Sequence, residues 1–360
     1  MDNGRDRRYA LPPGVSIGAR GTGAGASTLL GEAYPVLGLI SPLSVLARME
    51  RFRDPNVNTI SIGTSPSYSR FDEPLDVVER LVHLVEDSIE EPARGTTMGR
   101  FEKMRKLAAR WSGEQNADRV FDAFLQMDEA FRLKQAAAPR YSSLYCGVSM
   151  RQITRPLLIR PDLLTKDEEA YFLPYVFNIH ESEARNDYID LHGDRIWGPG
   201  EWKDRGLEQA LQSAARAAGT LESLKGAREE KWFRQLATSL RMWASGVRTM
   251  HNFYSAQMIR DQNSALLSGP PQIPPKVLTW FGHPDFIDWT GIHADEFANA
   301  NELMTLLQNG GLDHFGHCKS QRYEDTFVMG PDVVDALKQK TRIMRAHWLD
   351  VQQYLTSPDK

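Results

Sequence analysis

The feature that most constrains this fold is an unbroken helical pattern over residues 229–261. Apolar side chains recur there every three or four positions, at Trp232, Phe233, Leu236, Leu240, Trp243, Val247, Met250, Tyr254 and Met258. Such spacing predicts one helix with a continuous buried face. At about 1.5 Å per residue it would run roughly 50 Å, too long to pack against a small domain alone. We therefore expect a large helical domain, and we interpret the aromatic side chains of this stripe as core rather than as cofactor contacts.

Most of the remaining chain after residue 92 also has helical spacing. Helices are expected at about 98–111, after Asn116, at 206–224 and 295–309, and in a terminal helix at 331–355. Thr165 and Glu168 have the spacing of a capping box, which predicts a helix start. Few β-branched runs occur, and the best is at 58–63. The sequence thus predicts a mainly α protein with an N-terminal α/β element at 1–92 and a helical domain at 93–360. The α/β element is either self-contained or the end of a partial barrel.

Composition excludes several classes of function. The chain has 360 residues, with 43 Lys and Arg against 47 Asp and Glu. That balance leaves no basic excess for phosphates, so no nucleic-acid partner is expected. Two cysteines, Cys146 and Cys318, cannot build a disulfide framework or a Cys-rich zinc site alone. No apolar run is long enough to span a membrane, and no leader pattern is visible, so we expect a soluble cytoplasmic protein.

Two short motifs could hold an ion or a nucleotide. Residues 20–28 are glycine-rich, but no predicted strand leads into them and no Gly-Lys-Ser/Thr follows, which favours a flexible loop. His314, His317 and Cys318 lie within five residues, and zinc accepts all three. A fourth ligand would have to come from elsewhere, and neighbouring glycines favour an ordinary polar loop. We therefore predict neither a metal nor a cofactor, and a metal-dependent enzyme remains a distant third hypothesis.

The densest polar and aromatic stretch is residues 178–204, which we call the acidic–aromatic segment. Glycosidic cleavage needs one carboxyl group as acid and a second carboxylate as nucleophile or base. The candidates for those catalytic roles are Glu183, Asp187 and Asp190. Aromatic rings stack on the apolar faces of sugars, so the substrate-binding candidates are Trp197, Trp202 and His192.

The same segment has a simpler interpretation. Its acidic residues could pair with Arg185 or Arg195 on a solvated face, and Trp197 could hold the turn that follows it. If a ligand does bind here, the carboxylates favour a neutral or cationic, polyol-like molecule, because they repel anions and accept hydrogen bonds from hydroxyl groups.

A second candidate region follows the predicted strand at 58–63. In a barrel, functional residues collect at the carboxyl ends of the strands. Ser65, Tyr68 and Asp72 lie in that position and are further substrate-binding candidates. The alternative is an ordinary strand-to-helix connection in which Asp72 stands near the helix start.

Three stretches, Ile60–Ser69, Thr154–Phe177 and Gly330–Leu355, give the chain an overall layout. That layout resembles the C-terminal part of bacterial glycoside-hydrolase-like proteins, in which a barrel precedes a large helical domain. The resemblance extends from about residue 35 over most of the chain, and it implies a carbohydrate-active function. A complete barrel takes typically about 250 residues, whereas about 90 precede the helical part here. Either part of the barrel is missing from this chain, or the chain is an accessory helical module.

Two functional hypotheses follow from these patterns. The first is a carbohydrate-active protein, glycoside hydrolase-like or a fragment of one, that binds an oligosaccharide or polyol-like ligand through paired carboxylates and stacked aromatic rings. The second is a non-catalytic helical module that binds a partner protein or a small ligand. Partners expected under either hypothesis are a second copy of the chain or a missing N-terminal barrel portion.

Overall fold

A computed structural model describes residues 17–20, 36, 38–39, 42–43, 46, 57–61, 97–137, 152–168, 206–260, 284–323 and 329–356. The protein is mainly helical. Its α-helices in that part of the chain are α1 (Thr97–Ser112), α2 (Ala117–Ala137), α3 (Leu207–Glu222), α4 (Glu230–Arg260), α5 (Pro284–Gln308), α6 (Val333–Ala346) and α7 (Asp350–Thr356). None of the helices within these ranges is both long and apolar enough to cross a membrane.

Two short strands pair near the N-terminus. Strand β1 (Ile17–Arg20) runs parallel to β2 (Val57–Ser61), with Arg20 opposite Ser61 and a register irregularity after Ile17. Parallel neighbours need a crossover of a dozen or more residues, and residues 21–56 supply it. β2 lies within two residues of the strand predicted at 58–63. β1 was not predicted, and it corrects the expectation that no strand leads into the glycine-rich residues 20–28.

The chain divides into two compact units, and each unit is made of three stretches that are separate in the sequence. The first unit comprises Met1–Arg132, Gln212–Trp243 and Asp313–Gly316. The second comprises Leu133–Leu211, Ala244–Leu312 and His317–Lys360. The domain boundary near residue 92 stays a prediction.

The core of the first unit is built around aromatic side chains. Trp111, Phe124 and Trp232 are buried, and their rings meet edge to face, with the two indole centroids 5.2 Å apart. Phe131 meets Trp243 in the same way at 4.8 Å. Edge-to-face contacts place the positive edge of one ring on the negative face of another, which adds to the stabilisation from burying the rings. The side chains of Trp232, Phe233 and Trp243 in this unit, and that of Phe253 in the second unit, are buried, which confirms that they are core residues.

The C-terminal end of α1 is closed by side chain and backbone groups of the same unit. Gly113 follows the helix with φ of 85° and ψ of 154°, a combination that is open essentially only to glycine. Its N–H donates to the carbonyl of Ala109 at 2.8 Å. The guanidinium of Arg228 donates to the carbonyl of Arg110 at 2.8 Å. The backbone N–H of Glu229 donates to the carbonyl of Trp111 at 3.1 Å. Carbonyl groups left open by the end of α1 therefore find donors from the connection that precedes α4.

The second unit is organised around α5, which packs against both α6 and α7. Val333, Leu337, Ile343 and Met344 form the buried apolar face of α6. The Nε2 atom of His293 on α5 lies 3.1 Å from the carbonyl oxygen of Met344. This contact ties the two helices together within their core.

The terminal helix predicted at 331–355 is divided in two, which corrects the sequence interpretation. α6 ends at Ala346 and α7 begins at Asp350, with a turn between them. The ring of Trp348 in this turn contacts those of Phe286 and His293, at centroid distances of 6.4 and 5.0 Å. The break places a large ring against α5. Neither glycine nor proline lies in the turn, so tertiary packing rather than local propensity favours it.

Candidate functional site

The side chains proposed from the sequence to bind or cleave a sugar lie outside the described residues. This holds for the catalytic candidates Glu183, Asp187 and Asp190. It holds equally for the substrate-binding candidates, which are Trp197, Trp202, His192, Ser65, Tyr68 and Asp72. Their roles therefore stay predictions. The described residues on either side of residues 169–205 show how the chain is held where it enters and leaves that stretch.

The entry is held by the predicted capping box, which the structure confirms. The N–H and hydroxyl groups of Thr165 both donate to Glu168 Oε2 at 2.9 Å, and the N–H of Glu168 donates back to Thr165 Oγ1 at 3.3 Å. Glu168 Oε2 also lies 3.1 Å from Nε2 of His347, in the turn between α6 and α7. One carboxylate thus caps a helix start and binds an element 179 residues away in sequence.

The exit is held by Gly206 at the start of α3. Its φ is 88°, and a Cβ atom placed there would lie 3.1 Å from Cδ2 of Leu133 on α2. The carbonyl of Gly206 accepts the first helical hydrogen bond from Ala210 at 2.8 Å. Leu207, the first residue of α3, is buried. Glycine is required here both by the backbone conformation and by the close approach of Leu133.

The most concentrated polar chemistry in the described part of the second unit surrounds Lys340 and Glu296. Both side chains are fully buried, and the ammonium group of Lys340 donates to Glu296 Oε1. The ammonium also donates to the backbone carbonyls of Gln152 and Ile153, at 3.2 and 3.0 Å. Its three N–H bonds therefore each have an acceptor. The same ammonium lies 5.7 Å from the ring centroid of Phe253, close enough for a cation–π contribution.

Glu296 is satisfied from α4 as well as from α6. The hydroxyl of Thr249 donates to Oε1 at 2.8 Å, and the amide of Asn252 donates to Oε2 at 2.9 Å. Asn299, one turn further along α5, donates to Thr249 Oγ1 at 2.9 Å and to the carbonyl of Ser245 at 3.0 Å. Three helices and the segment at residues 152–153 therefore converge on one carboxylate and one ammonium group. We call this set of residues the Lys340 network.

A more exposed ion pair borders this network. Arg248 donates to both carboxylate oxygens of Asp295, from Nε at 2.8 Å and from Nη2 at 2.6 Å, and to Glu302 at 2.9 Å. Burial alone would raise the pKa of Asp295. Hydrogen bonds from Arg248 and Asn252, together with the charge of Arg248, outweigh it, so that pKa lies below its ordinary value. Asp295 therefore stays ionised and acts as an acceptor for two side chains of α4.

The geometry of the Lys340 network suits structural cohesion better than turnover. A catalytic acid or base must reach the proton that it transfers in a bound substrate. Lys340 instead donates to Glu296 and to two backbone carbonyls. Glu296 accepts from Lys340 and from two α4 side chains. Because neither side chain is exposed, we assign the network to holding α4, α5 and α6 in register.

His347 forms a second polar cluster in this unit. Its Nδ1 atom lies 2.6 Å from Asp350 Oδ2, and its Nε2 atom lies 3.1 Å from Glu168 Oε2. Burial alone would lower the pKa of His347, but hydrogen bonds to Asp350 and Glu168 and their charges outweigh it and raise the pKa. Burial by itself would raise the pKa of Glu168, yet bonds from Thr165 and His347 lower it. These shifts favour the protonated form of His347 and the ionised form of Glu168.

In the first unit, Ser239 and His314 form a buried pair. Ser239 Oγ lies 2.7 Å from Nδ1 of His314, and burial lowers the pKa of His314 to about 4. A hydroxyl beside a neutral imidazole is the contact that activates a serine nucleophile. A nucleophile must also be reachable by substrate, and Ser239 is fully buried in the middle of α4. We therefore interpret the pair as an anchor for the turn at Gly311–His314.

His317 and Cys318, which the sequence places close to His314, have partners of their own. His317 Nδ1 lies 3.0 Å from the carbonyl of Cys318, and Cys318 Sγ donates to the carbonyl of Ser320 at 3.0 Å. Within the described ranges, no three His, Cys, Asp or Glu side chains are grouped to hold a metal ion. The metal-dependent hypothesis thus gains no support from this part of the chain.

Sequence reasoning missed the Lys340 network, although a signal was present. Lys340 falls on the apolar face of α6, between Leu337 and Met344 at helical spacing. Glu296 likewise lies between buried His293 and Ala300 on α5. A charged residue in the middle of an apolar stripe indicates a buried partner, because an unpaired buried charge is very costly. The identity of that partner depends on packing between helices.

Comparison with protein-family models, with curated proteins and with solved structures gives no match for this chain.

Proposed function

We propose that this protein is carbohydrate-active and glycoside hydrolase-like, and that it binds an oligosaccharide or polyol-like ligand through the acidic–aromatic segment. The observation that carries the proposal is the coincidence of carboxylates and tryptophans within residues 178–204. Sugars present hydroxyl groups at their edges and apolar C–H groups on their faces, so a site that binds them needs both kinds of side chain.

The described flanks support this proposal. The chain is held at Glu168 by His347 and at Gly206 by Leu133, and all four residues belong to the second unit. Contacts at both ends of a segment reduce the conformational entropy that the segment loses on binding a ligand. The contacts at Glu168 and Gly206 therefore support binding by the residues between them.

Glu183, Asp187 and Asp190 supply the paired carboxylates, and Trp197 and Trp202 supply stacking faces. The parallel pairing of β1 and β2 is the strand arrangement of a (β/α)₈ barrel, which supports an N-terminal partial barrel. We also propose that the protein is located in the cytoplasm.

The test is calorimetric titration of the full chain with a panel of neutral, cationic and acidic oligosaccharides. Losing a hydrogen bond to a charged group typically costs about 1.5–3 kcal/mol, which corresponds to a loss of affinity of about 10- to 150-fold. We expect a loss in that range for Asp190→Asn, and a loss of comparable size for Trp197→Ala from the missing stacking face.

Matched controls come from exposed residues of the described region. Asp313→Asn removes one exposed carboxylate, and Tyr323→Ala removes one exposed ring. Both should leave the affinity unchanged. Binding that neither segment variant weakens would move the site elsewhere, with Ser65, Tyr68 and Asp72 as the next candidates. Failure of every panel member to bind would contradict the proposal.

A second candidate function is a helical module that binds a partner protein, and exposed apolar side chains favour it. Ile287 and Leu349 in the second unit are 54% and 62% exposed. Each is the neighbour in sequence of a ring in the Phe286–Trp348 contact. Large apolar side chains that are left exposed occur at interaction surfaces.

The two candidates are distinguished by association measurements. If Ile287 takes part in binding a second copy, the mass from light scattering should exceed that of one chain and should fall to it for Ile287→Asp. Sugar affinity should be unchanged by the same substitution. A single-chain mass at all concentrations would contradict self-association through Ile287.

A further inference from the structure

The side chain of His347 lies between two carboxylates contributed by different elements. Asp350 is the first residue of α7, and Glu168 closes the capping box that begins at Thr165. The exposed fractions of the three side chains are 12% for His347 and 17% for each carboxylate. Solvent therefore screens these contacts less than it screens surface pairs.

Both ring nitrogens of His347 face an acceptor. An ionised carboxylate can only accept hydrogen bonds, and a neutral imidazole carries one N–H and one acceptor nitrogen. Contacts of 2.6 and 3.1 Å on the two nitrogens can thus both be hydrogen bonds only when the ring is protonated. In the neutral ring, one nitrogen lone pair would face a carboxylate and repel it.

The two contacts would not be lost equally. Asp350 is three residues away and closer, so a neutral ring keeps its N–H toward Asp350. Glu168 is 179 residues away and at the longer distance. Loss of the Nε2 proton therefore breaks the link between the helix start at residues 165–168 and the α6–α7 turn.

Two other basic side chains on the neighbouring helices have contacts of their own. On the α5 side, His293 contacts Trp348, and burial lowers the pKa of His293, so it is neutral near pH 7. The guanidinium of Arg345 on α6 lies over the ring of Phe297, at 4.7 Å from its centroid. Glu168 and Asp350 are the groups whose charges raise the pKa of His347 above its ordinary value.

We propose that Glu168, His347 and Asp350 form a pH-sensitive clasp, which holds the helix start at residues 165–168 against the α6–α7 turn while the imidazole is protonated. Deprotonation opens the clasp at Glu168. Because the folded state raises the affinity of His347 for its proton, the stabilisation is complete below about pH 6.5, the ordinary pKa of histidine, and is lost as pH rises through the value in the folded protein. The clasp stands on described residues alone and does not depend on sugar binding.

The first measurement is an NMR titration of the full chain with labelled histidine, in which His347→Gln assigns the signal. We expect the His347 ring to titrate above pH 6.5, the usual value for histidine. Glu168→Gln removes one charge, and its amide oxygen preserves an acceptor for Thr165, so the titration of His347 should shift downward. A ring that titrates at or below its ordinary pKa, or that is unaffected by Glu168→Gln, contradicts the clasp.

The second measurement is amide exchange at Thr165 and Glu168, corrected for the intrinsic pH dependence of exchange. The N–H of Thr165 donates to Glu168 Oε2, the same oxygen that faces His347. Protection should fall about two- to fivefold as pH rises through the His347 titration, the factor expected for loss of one ion pair.

The matched control for this measurement is His317→Gln, which alters a half-buried histidine outside the clasp. It should retain the pH dependence, whereas His347→Gln should give protection that is low and independent of pH. Wild-type protection that does not follow the His347 titration would overturn the proposal, and this result needs no variant to fold.

Discussion

Lys340 Nζ on α6 donates to Glu296 Oε1 on α5, and neither side chain has any exposed surface. Transferring two charges from water into a protein interior costs several kcal/mol per ion, so such a pair persists only when its remaining hydrogen bonds are satisfied. Gln152, Thr249 and Asn252 supply those partners. The pair therefore specifies which faces of α4, α5 and α6 come together, even if its net contribution to stability is small.

The first prediction concerns the removal of one member of this pair. Lys340→Met leaves the Glu296 carboxylate buried without its cation, and we expect it to lower the free energy of unfolding by about 3–5 kcal/mol. Urea denaturation followed by circular dichroism measures the change. Lys338→Met on the same helix is the matched control, because Lys338 is exposed and pairs with Asp335 at the surface. The control should change stability by no more than about 0.5 kcal/mol.

Removing both charges should lower the free energy of unfolding less than removing Lys340 alone. In the double variant Lys340→Met with Glu296→Gln, no uncompensated charge remains, and the amide still accepts from Thr249 or Asn252. We therefore expect recovery of at least half of the stability lost by Lys340→Met. A double variant less stable than the single one would show that the pair is not the main interaction of these two residues.

The second prediction is that replacing two different glycines by alanine changes the stability of the protein in opposite directions. Gly113→Ala forces a side chain onto a backbone with φ of 85° and ψ of 154°, which should destabilise the protein by about 1–3 kcal/mol. Gly291 lies inside α5 on an exposed face, and a Cβ atom there would meet no atom within 4 Å. Gly291→Ala should stabilise the protein by about 0.4–1 kcal/mol, because it reduces the conformational freedom of the unfolded chain. Thermal unfolding of the two variants measures both shifts, and equal signs would contradict the backbone assignment at Gly113.

The third prediction concerns the acid side of the stability profile. Burial lowers the pKa of His314 to about 4, so the unfolded chain binds a proton more tightly at this residue than the folded chain does. The contribution is fully present above about pH 6.5, the ordinary pKa of histidine, and is lost as pH falls toward the folded value. From the size of the shift, the loss should reach about 3 kcal/mol.

Urea denaturation between neutral and mildly acidic pH measures this loss. His314→Gln can keep a hydrogen bond to Ser239 but cannot take up a proton, so its stability should fall less steeply with acid than that of the wild type. Asn309→Ala, which changes an exposed group that does not titrate, is the control and should retain the wild-type slope. Identical slopes for the wild type and His314→Gln would show that His314 is not buried in its neutral form.

The fourth prediction is that the fold needs no structural metal. His314 is bonded to Ser239, and the Nδ1 atom of His317 lies against the carbonyl of Cys318. A strong chelator should leave the Tm of the full chain unchanged. If the Tm falls markedly and zinc restores it, the cluster of His314, His317 and Cys318 binds a metal after all, since removing a structural metal unfolds the site that it holds.

Sequence patterns predicted individual helices more closely than they predicted contacts between side chains that are far apart in the sequence. The long helix was expected at 229–261 and spans Glu230–Arg260, because its stripe of apolar residues repeats over eight turns. The capping box was predicted because Thr165 and Glu168 are three residues apart and need no other part of the chain. The break at His347 was not predicted, because it depends on the contact of Trp348 with α5.

The sequence by itself determined that the chain forms long amphipathic helices and which faces they bury, since periodicity acts within a few residues. It did not determine every helix start, because α5 begins at Pro284 and not at the predicted residue 295. Only the tertiary structure decided that Lys340 meets Glu296, 44 residues away, and that His347 meets Glu168, 179 residues away. A charge on an apolar face must find a partner when it is buried, but many partners of opposite charge are available in the sequence. Packing selects among them, because the side chains that interlock between helices fix which turn of one helix lies against which turn of the next.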